Sequence, residues 1–260
     1  MIAATCGMRR TFLRWSALLP CVLMPIGALA ASLSVAPLRL VLTPERPVAS
    51  LTMGNSDEAE EVAVQAEVLV WSQEDGRDVY QPTREVLVNP SIFRLPPGGR
   101  QIVRLGLQVP AEAVERSYRV FLRQLPRDQA LPADGGVKLQ TLLRIGVPIF
   151  VPPLQLRQAL QWRLQAGGAG GRGYKLMLDN QGSEHIQLTQ LVVRREGGAE
   201  LLRKSLSHYA LAGQSAGIEL ELPALPPDTR LHIEAATDAP EALSTVTATV
   251  LVPRAPAMPR

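Results

Sequence analysis

The sequence contains no motif in which side chains are spaced as in a metal site or a catalytic nucleophile. Its three histidines, His185, His208 and His232, are more than twenty residues apart and lack the short spacing of a metal-binding motif. The glycine-rich run 167–173 is not followed by the Lys-Ser/Thr pair of a phosphate-binding loop, and no nucleophile elbow occurs. The acidic run 57–61 is interpreted as a solvated turn. The sequence therefore predicts no catalytic residue, no metal site and no cofactor.

One charged residue interrupts an otherwise apolar segment. Arg39 lies within residues 35–42, whose other members are Val, Ala, Pro and Leu. A buried guanidinium without a partner is costly, so this arginine needs an explanation. Two interpretations stay open on the pattern alone: a solvent-facing arginine of an edge strand, or an arginine kept for a function.

The first thirty residues have the pattern of an export signal. Arg9, Arg10 and Arg14 form a basic head, and a proline-broken apolar stretch ends in Ala-Leu-Ala at 28–30, a small-x-small cleavage site. The stretch is too short for a stable membrane span, so residues 1–30 are predicted to be a secretory signal peptide rather than an uncleaved anchor.

Removing that signal changes the charge and the cysteine content. Both cysteines and three of the 27 basic residues lie inside it, so the predicted mature chain has no cysteine and balances 24 basic against 24 acidic residues. Proteins that bind nucleic acid neutralise phosphates with a surplus of Lys and Arg. The balance therefore disfavours nucleic acid as a partner.

The remaining residues predict an all-β protein. Short alternating apolar runs recur between turn residues, and no amphipathic helix of convincing length follows residue 31. About seven runs precede residue 152, the strand count of an immunoglobulin-like sandwich. They are residues 34–42, 51–53, 62–70, 85–88, 93–95, 101–107 and 118–125.

A second, smaller set of strands follows a proline-rich boundary. Pro148, Pro152 and Pro153 mark that boundary, because proline cannot donate to a strand ladder. We expect an N-terminal domain over 31–152, a smaller sandwich over 153–253 and a tail over 254–260. The predicted strands of the second domain are 161–165, 173–180, 185–193, 209–211, 218–222, 229–235 and 245–252.

The segment 137–151 alternates more strictly than any other. Its odd positions are apolar except Thr141, and its even positions are mixed. This two-residue period predicts an extended strand with one apolar face. The pattern leaves open whether that face packs on the protein's own core or against something that arrives later.

Several motifs follow one another in a specific order: Leu-Arg-Leu-Val-Leu at 38–42, Trp71, Phe-Arg-Leu-Pro-Pro-Gly at 93–98, the strands 101–105 and 118–122, and Pro-Pro at 152–153. On these motifs the sequence shows a resemblance to the PapD-like periplasmic chaperones of the chaperone–usher pilus pathway. The resemblance covers essentially the whole predicted mature chain, strongly from 34 to 153 and loosely afterwards. The sequence of residues 145–151 is more similar to the archaic, spore-coat-U-type branch of this family than to its other chaperones.

The resemblance implies a fold and a function. The fold is two immunoglobulin-like β-sandwich domains set at an angle with a cleft between them. Such chaperones act in the periplasm, where they cap incomplete pilus subunits by donor-strand complementation, a form of β-augmentation, and deliver them to an outer-membrane usher. The implied partners are therefore pilus or fimbrial subunits and the usher, without stable membrane insertion.

The resemblance also implies site residues. The groove-filling side chains of the donor strand correspond to Leu139, Thr141, Leu143 and Ile145. Arg39 corresponds to the arginine that binds the C-terminal carboxylate of the subunit, a role suited to the planar, always-charged guanidinium.

This sequence departs from the family pattern at two positions. Pro148 replaces a lysine that assists the anchoring arginine, so Arg119 and Arg123 on the neighbouring strand are the candidates to substitute for it. Glu115 and Asp238 match the acidic members of an interdomain ion network, but its basic member falls on Pro152. The domains are therefore expected to be held together in another way.

A different class of protein also fits the pattern of strands. A secreted two-domain adhesion or structural protein would bury the apolar face of 137–151 permanently and would have no chaperone activity. It differs from a chaperone in one expectation: Leu143→Asp would unfold it in the absence of any partner.

Overall fold

The structure is a computed structural model that describes residues 33–126, 141–167, 173–239 and 244–254. The predicted signal peptide and nearly all of the predicted tail lie outside these ranges. Within them, the regular structure is β-strand throughout, with seventeen strands and no helix. The prediction of an all-β protein is confirmed.

The strands before residue 152 form two sheets. They are β1 (Leu33–Ala36), β2 (Leu40–Val41), β3 (Val48–Asn55), β4 (Val62–Glu74), β5 (Arg77–Pro82), β6 (Val86–Asn89), β7 (Ile92–Leu95), β8 (Arg100–Leu107), β9 (Arg116–Gln124) and β10 (Arg144–Val151). One sheet has the order β1-β3-β8-β6. The other has the order β2-β10-β9-β4-β5, with β7 also paired to β4. Alternate residues of the two sheets meet in one apolar core, as in a sandwich.

The strands after residue 153 form two further sheets. They are β11 (Leu160–Ala166), β12 (Tyr174–Asn180), β13 (Ile186–Arg195), β14 (Glu200–Ala210), β15 (Ser215–Leu220), β16 (Arg230–Thr237) and β17 (Thr245–Leu251). The sheets have the orders β11-β12-β15 and β14-β13-β16-β17, and they enclose a second apolar core. Two sandwich domains are therefore present, as predicted. The limits 31–152 and 153–253 stay predictions.

The first predicted strand, 34–42, is wrong as a single element. It is divided into β1, which pairs with β3, and β2, which pairs in parallel with β10 in the opposite sheet. A cis peptide bond joins Ala36 to Pro37 at the crossing. The alternation continues through both pieces because each buries one face in the same core, so periodicity alone does not reveal the change of sheet.

One strand, β5, was not predicted from the sequence, and another, β14, was predicted much too short. β5 carries charged and polar residues on a mostly exposed surface, and β14 was predicted over 209–211 only. Both strands lie at the edge of a sheet, where hydrogen bonding to one neighbour suffices and the side chains need no apolar alternation. Their existence depends on the neighbouring strands β4 and β13.

The β4–β5 hairpin reaches from the first domain to the second. Its turn contains Asp75 and Gly76 with φ values of 50° and 72°, the left-handed region that glycine adopts without strain. Gly76 forms an isolated bridge with Ala216, and a Cβ on Gly76 would lie 2.8 Å from the backbone nitrogen of Gly217. The close approach of the two domains at this turn therefore requires glycine.

Candidate functional site

A cleft of about 490 Å³ lies between the two domains. Its N-domain wall carries Arg39, Trp71, Arg119 and Pro148, and its C-domain wall carries Gln187, His208 and Tyr209. Sequence reasoning selected Arg39 and Arg119 as anion-binding candidates, and the structure brings both to this cleft.

Arg39 directly precedes β2 and reaches across to the second domain. Its Nη2 donates to the side chains of Gln187 and Asp238, and lies 3.4 Å from the Tyr209 hydroxyl. Burial lowers the pKa of Arg39, but the hydrogen bonds that its guanidinium donates to Tyr209 and Asp238 outweigh this effect, and the net shift of the pKa is upward. The guanidinium is therefore half-buried, charged and paired with a carboxylate of the same chain.

Arg119 lies on β9 and stacks on an aromatic floor. Its guanidinium carbon is 3.8 Å from the centre of the Trp71 ring, and its Nη1 donates to the Tyr80 hydroxyl at 2.6 Å. The carboxylate of Asp78 is 3.6 Å away. Burial raises the pKa of Tyr80 to about 12, although Arg119 opposes that shift, so Tyr80 stays neutral and accepts from Arg119 across the physiological range.

Pro148 faces Arg119 directly in the β10–β9 ladder. The position where the family pattern expects a lysine is thus adjacent to an arginine on the neighbouring strand. Gly146, two residues earlier, gives the arginine room: a Cβ there would lie 3.0 Å from Arg119 Cδ and from the ring of Phe121.

Arg123 lies elsewhere. It follows Arg119 by four residues on the same face of β9, which separates their Cα atoms by about 13 Å. Its guanidinium donates to Gln65, and Arg144 lies across the ladder with its own guanidinium 3.7 Å from the Phe121 ring centre. The structure therefore does not bring Arg123 together with Arg39.

The two edges of β10 are covered to different extents. One edge pairs with β9 from Arg144 to Val151. On the other edge, β2 is the strand that pairs with β10 in the described part of the chain, and it meets only Ile149 and Phe150. Backbone groups from 144 to 148 on that edge are therefore not paired by a described strand. Leu143 extends the covered edge by one bond, accepting from Gln124 N–H at 2.9 Å.

The apolar face of this segment is divided between two environments. Val147, Ile149 and Val151 are buried in the N-domain core, with exposures of 1%, 0% and 1%. Ile145 is half-buried and packs at the border of that core. Leu143 is half-buried and Thr141 is exposed, whereas Leu139 lies outside the described residues. The predicted strand over 137–151 thus begins only at Arg144 in the structure, and its later half serves the protein's own core.

The family pattern implies a network of ion pairs between the domains that includes Glu115 and Asp238. In the structure these two residues make contacts of different kinds. Glu115 is buried and accepts from the backbone N–H of His185 at 3.1 Å, while His185 Nδ1 lies 2.8 Å from the same carboxylate. The His185 ring stacks on Phe150 at 3.6 Å. Asp238 instead pairs with Arg39, so the two acidic residues lie in separate contacts.

Gln73 is a residue of this interface that sequence reasoning missed. Its buried side chain donates to the Tyr209 carbonyl at 2.8 Å and accepts from the Leu211 N–H at 3.0 Å. Nearby, Trp71, Phe150 and Leu211 form a small apolar cluster shared by the two domains. No local signal identifies Gln73, because it continues the alternation of β4 as one polar residue among others.

The cleft lining includes the side chain of His208. His208 is mostly buried, and burial lowers its pKa, which keeps the ring neutral. No three metal-ligating side chains are grouped closely enough, in the described ranges, to hold an ion. The same ranges contain no helix of the length and apolarity needed to cross a membrane.

Comparison with known proteins adds to this geometry. The chain has 17% identity and a TM-score of 0.62 to a chain of the CsuC–CsuE chaperone–tip adhesion subunit pre-assembly complex from archaic chaperone–usher Csu pili of Acinetobacter baumannii, covering 85% of this chain and 98% of that one. It matches the E. coli chaperone DraB with 23% identity and a TM-score of 0.52, covering 85% and 95%. It matches a chain of the Salmonella enterica SafA pilin–SafB chaperone complex with 16% identity and a TM-score of 0.54, covering 86% of this chain and 97% of that one.

These structural matches show the fold. A search among curated proteins finds no match. At the level of sequence, residues 32–157 match the family described as pili and flagellar-assembly chaperone, PapD N-terminal domain. The matched segment contains Arg39, Trp71, Arg119 and the whole of β10. Residues 32–157 therefore belong to the PapD N-terminal domain family, and the described chain has the two-domain fold of the PapD-like chaperones.

Proposed function

We propose that this protein is a periplasmic chaperone that caps pilus subunits by donor-strand complementation and delivers them to an outer-membrane usher. The observation that carries the proposal is the combination of a strand edge that no described strand covers and two guanidinium groups in one cleft. Residues 144–148 supply the edge, and Arg39 and Arg119 supply the guanidinium groups. An extended subunit strand added to that edge would run towards the arginines.

The partial burial of the donor segment supports this proposal. Leu143 and Ile145 already pack partly on the protein itself, so each has only part of its apolar surface left to contribute to a subunit. A fully buried aliphatic side chain contributes about 1.5–3 kcal/mol, and these two would each contribute a fraction of that. Leu139 and Thr141, which precede them, remain proposed members of the donor row.

The anchor for the terminal carboxylate of the subunit is proposed to be Arg39 together with Arg119. Both line the same cleft, and Arg119 lies opposite Pro148 in the ladder. Arg123 does not line this cleft and pairs with Gln65, so we leave it out of the anchor. Two guanidinium groups suit a carboxylate because each presents N–H donors in a planar fork.

The test is co-expression with a candidate pilus subunit, a small secreted β-protein to be sought among the neighbouring genes, followed by purification of the complex. We expect a one-to-one complex, lost in both Leu143→Asp and Arg39→Glu. Two matched variants serve as controls. Leu142→Asp changes the adjacent side chain of the same segment, and Arg94→Glu reverses a charge that is 74% exposed on β7. Both are expected to retain the complex.

Thermal unfolding of each purified variant completes the experiment. The chaperone proposal expects Leu143→Asp to remain folded without a partner, because the exchanged side chain is half-buried at the margin of the core. A complex that survives both Leu143→Asp and Arg39→Glu would refute the proposed mechanism. Unfolding of isolated Leu143→Asp would favour a permanently buried strand, as in a structural sandwich.

A further inference from the structure

The Arg39 guanidinium is already engaged by acceptors of its own chain. Asp238 and Gln187 both accept from its Nη2. Asp238 directly follows β16, and its backbone N–H donates to the Gln187 carbonyl at 3.1 Å, so the C-terminal domain presents the two acceptors together. Asp238 therefore does more than join the domains: it occupies the group that is proposed to bind the subunit.

The covalent geometry of arginine makes this occupancy important. A guanidinium offers two forks of parallel N–H donors, one formed by Nη1 with Nη2 and the other by Nε with Nη2. Nη2 belongs to both forks, and its two hydrogens are engaged by Asp238 and Gln187. A further carboxylate can then reach Arg39 only through single donors. Bidentate binding, the stronger mode, requires one of the two acceptors to leave.

Charge indicates which acceptor leaves. Asp238 and the nearby carboxylate of Glu184, which interacts with both Asp238 and Arg39, form a group of negative charges beside Arg39. An incoming carboxylate would add another negative charge to that group, and it repels Asp238 but not the neutral amide of Gln187. Gln187 is also held in place, because its Nε2 donates to the Ser207 hydroxyl at 2.8 Å.

We propose that Asp238 is a built-in competitor for the terminal carboxylate of the client: it occupies Arg39 in the free protein and is displaced when the client binds. This inference rests on the proposed function, since it assumes that Arg39 anchors a carboxylate. Competition by Asp238 lowers the affinity of the protein for the client. A chaperone that must later surrender its subunit benefits from such a competitor, because release is assisted when Asp238 returns to Arg39.

The experiment compares the full chain with Asp238→Asn in binding a defined carboxylate probe. The probe is the acetylated peptide Thr-Val-Thr-Val-Thr-Val-Tyr with a free C-terminal carboxylate, and its C-terminal amide is the neutral counterpart. Binding is followed by NMR titration of the arginine Nε–H resonances. Asp238→Asn is expected to lower the Kd of the free-acid peptide about fivefold, because a neutral acceptor holds Arg39 less strongly, and to leave the Kd of the amide unchanged.

The matched control is Asp228→Asn. Asp228 also pairs with an arginine, Arg254 at 2.8 Å, but Arg254, unlike Arg39, does not line the cleft. This control is expected to keep the Kd of wild type for both peptides. Asp238→Ser, which removes the acceptor with a smaller side chain, is expected to act in the same direction as Asp238→Asn and replaces it if the amide variant does not fold.

The outcomes separate the competitor from the anchor. If wild type prefers the free acid to the amide but the Asp238 variants bind the free acid no more tightly, the competitor is refuted while the carboxylate site stands. Weaker binding by these variants would make Asp238 a residue that positions Arg39, which also overturns the inference. Equal binding of acid and amide by every variant would remove the Arg39 anchor, and the competitor with it.

Discussion

Gln73→Glu tests how the two domains are held together. The substitution keeps the shape of the side chain and its acceptor for Leu211 N–H, but it replaces the Nε2 donor by an oxygen. That donor serves the Tyr209 carbonyl at 2.8 Å and Asp78 Oδ1 at 3.1 Å. Two acceptors would then face an oxygen without a hydrogen. Asp78 is solvent-exposed and loses little, so only the Tyr209 carbonyl is counted as orphaned; at about 1–3 kcal/mol for that group, the expected loss in the free energy of unfolding is about 1–3 kcal/mol at pH 7.

The loss should depend on pH in a definite direction. Burial and the nearby Asp78 raise the pKa of the introduced carboxyl group in the folded state above its unfolded value. A raised folded pKa penalises the folded protein at high pH, and the penalty disappears as the pH falls through that pKa. The protonated group donates again, so the difference from wild type should shrink between pH 7 and about pH 5.

Urea unfolding, monitored by tryptophan fluorescence across this pH range, measures the effect. Gln101→Glu is the matched control, because Gln101 Nε2 donates to an exposed carbonyl on β8 of the first domain, that of Ile102. The control is expected to change the free energy of unfolding by less than about 0.5 kcal/mol. A stability of Gln73→Glu equal to that of the control at pH 7, or a loss that does not respond to pH, would refute the role given to this side chain.

Two further predictions concern single positions. Ile149→Ala should lower the free energy of unfolding by about 2–5 kcal/mol, because Ile149 is fully buried, whereas Leu143→Ala should lower it clearly less. Urea unfolding measures both losses. Equal losses would contradict the conclusion that Ile149 belongs to the core and Leu143 lies at its margin. Burial, reinforced by Glu115 and Asp238, raises the pKa of Glu184 above its ordinary value, so its ionisation weakens the fold as the pH rises through that folded pKa. Glu184→Gln should therefore be more stable than wild type at pH 7 and lose this advantage near pH 4, where wild-type Glu184 is protonated in both states; an advantage independent of pH would contradict the assignment.

Much of the architecture follows from local sequence patterns. Alternating side chains in residues 62–70, 101–107 and 245–252 identify strands because each buries one face in a core, and a period of two is the direct consequence. Arg39 could be selected for a similar reason, since a charge within an apolar run needs a partner. The sequence does not contain the identity of that partner, because Asp238 is 199 positions away.

Features that depend on contacts between distant strands were decided by the tertiary structure. Alternation in 137–151 predicts an apolar face, but which part of it is covered depends on where β2 meets β10 and where the N-domain core ends. The choice of Arg119 instead of Arg123 as the partner of Arg39 also depends on contacts between distant strands. The two arginines have the same side chain on the same face of β9, and only Arg119 lies over Trp71 beside Pro148.

The sequence by itself thus determined the β class, the two domains and the arginine in the first strand, because periodicity and the cost of burying charge act over a few residues. The tertiary structure decided which strand edge is uncovered, how Glu115 and Gln73 join the domains, and that Asp238 occupies Arg39. These properties arise from long-range pairing, and a local pattern of side chains does not specify which distant backbone or carboxylate will lie beside it.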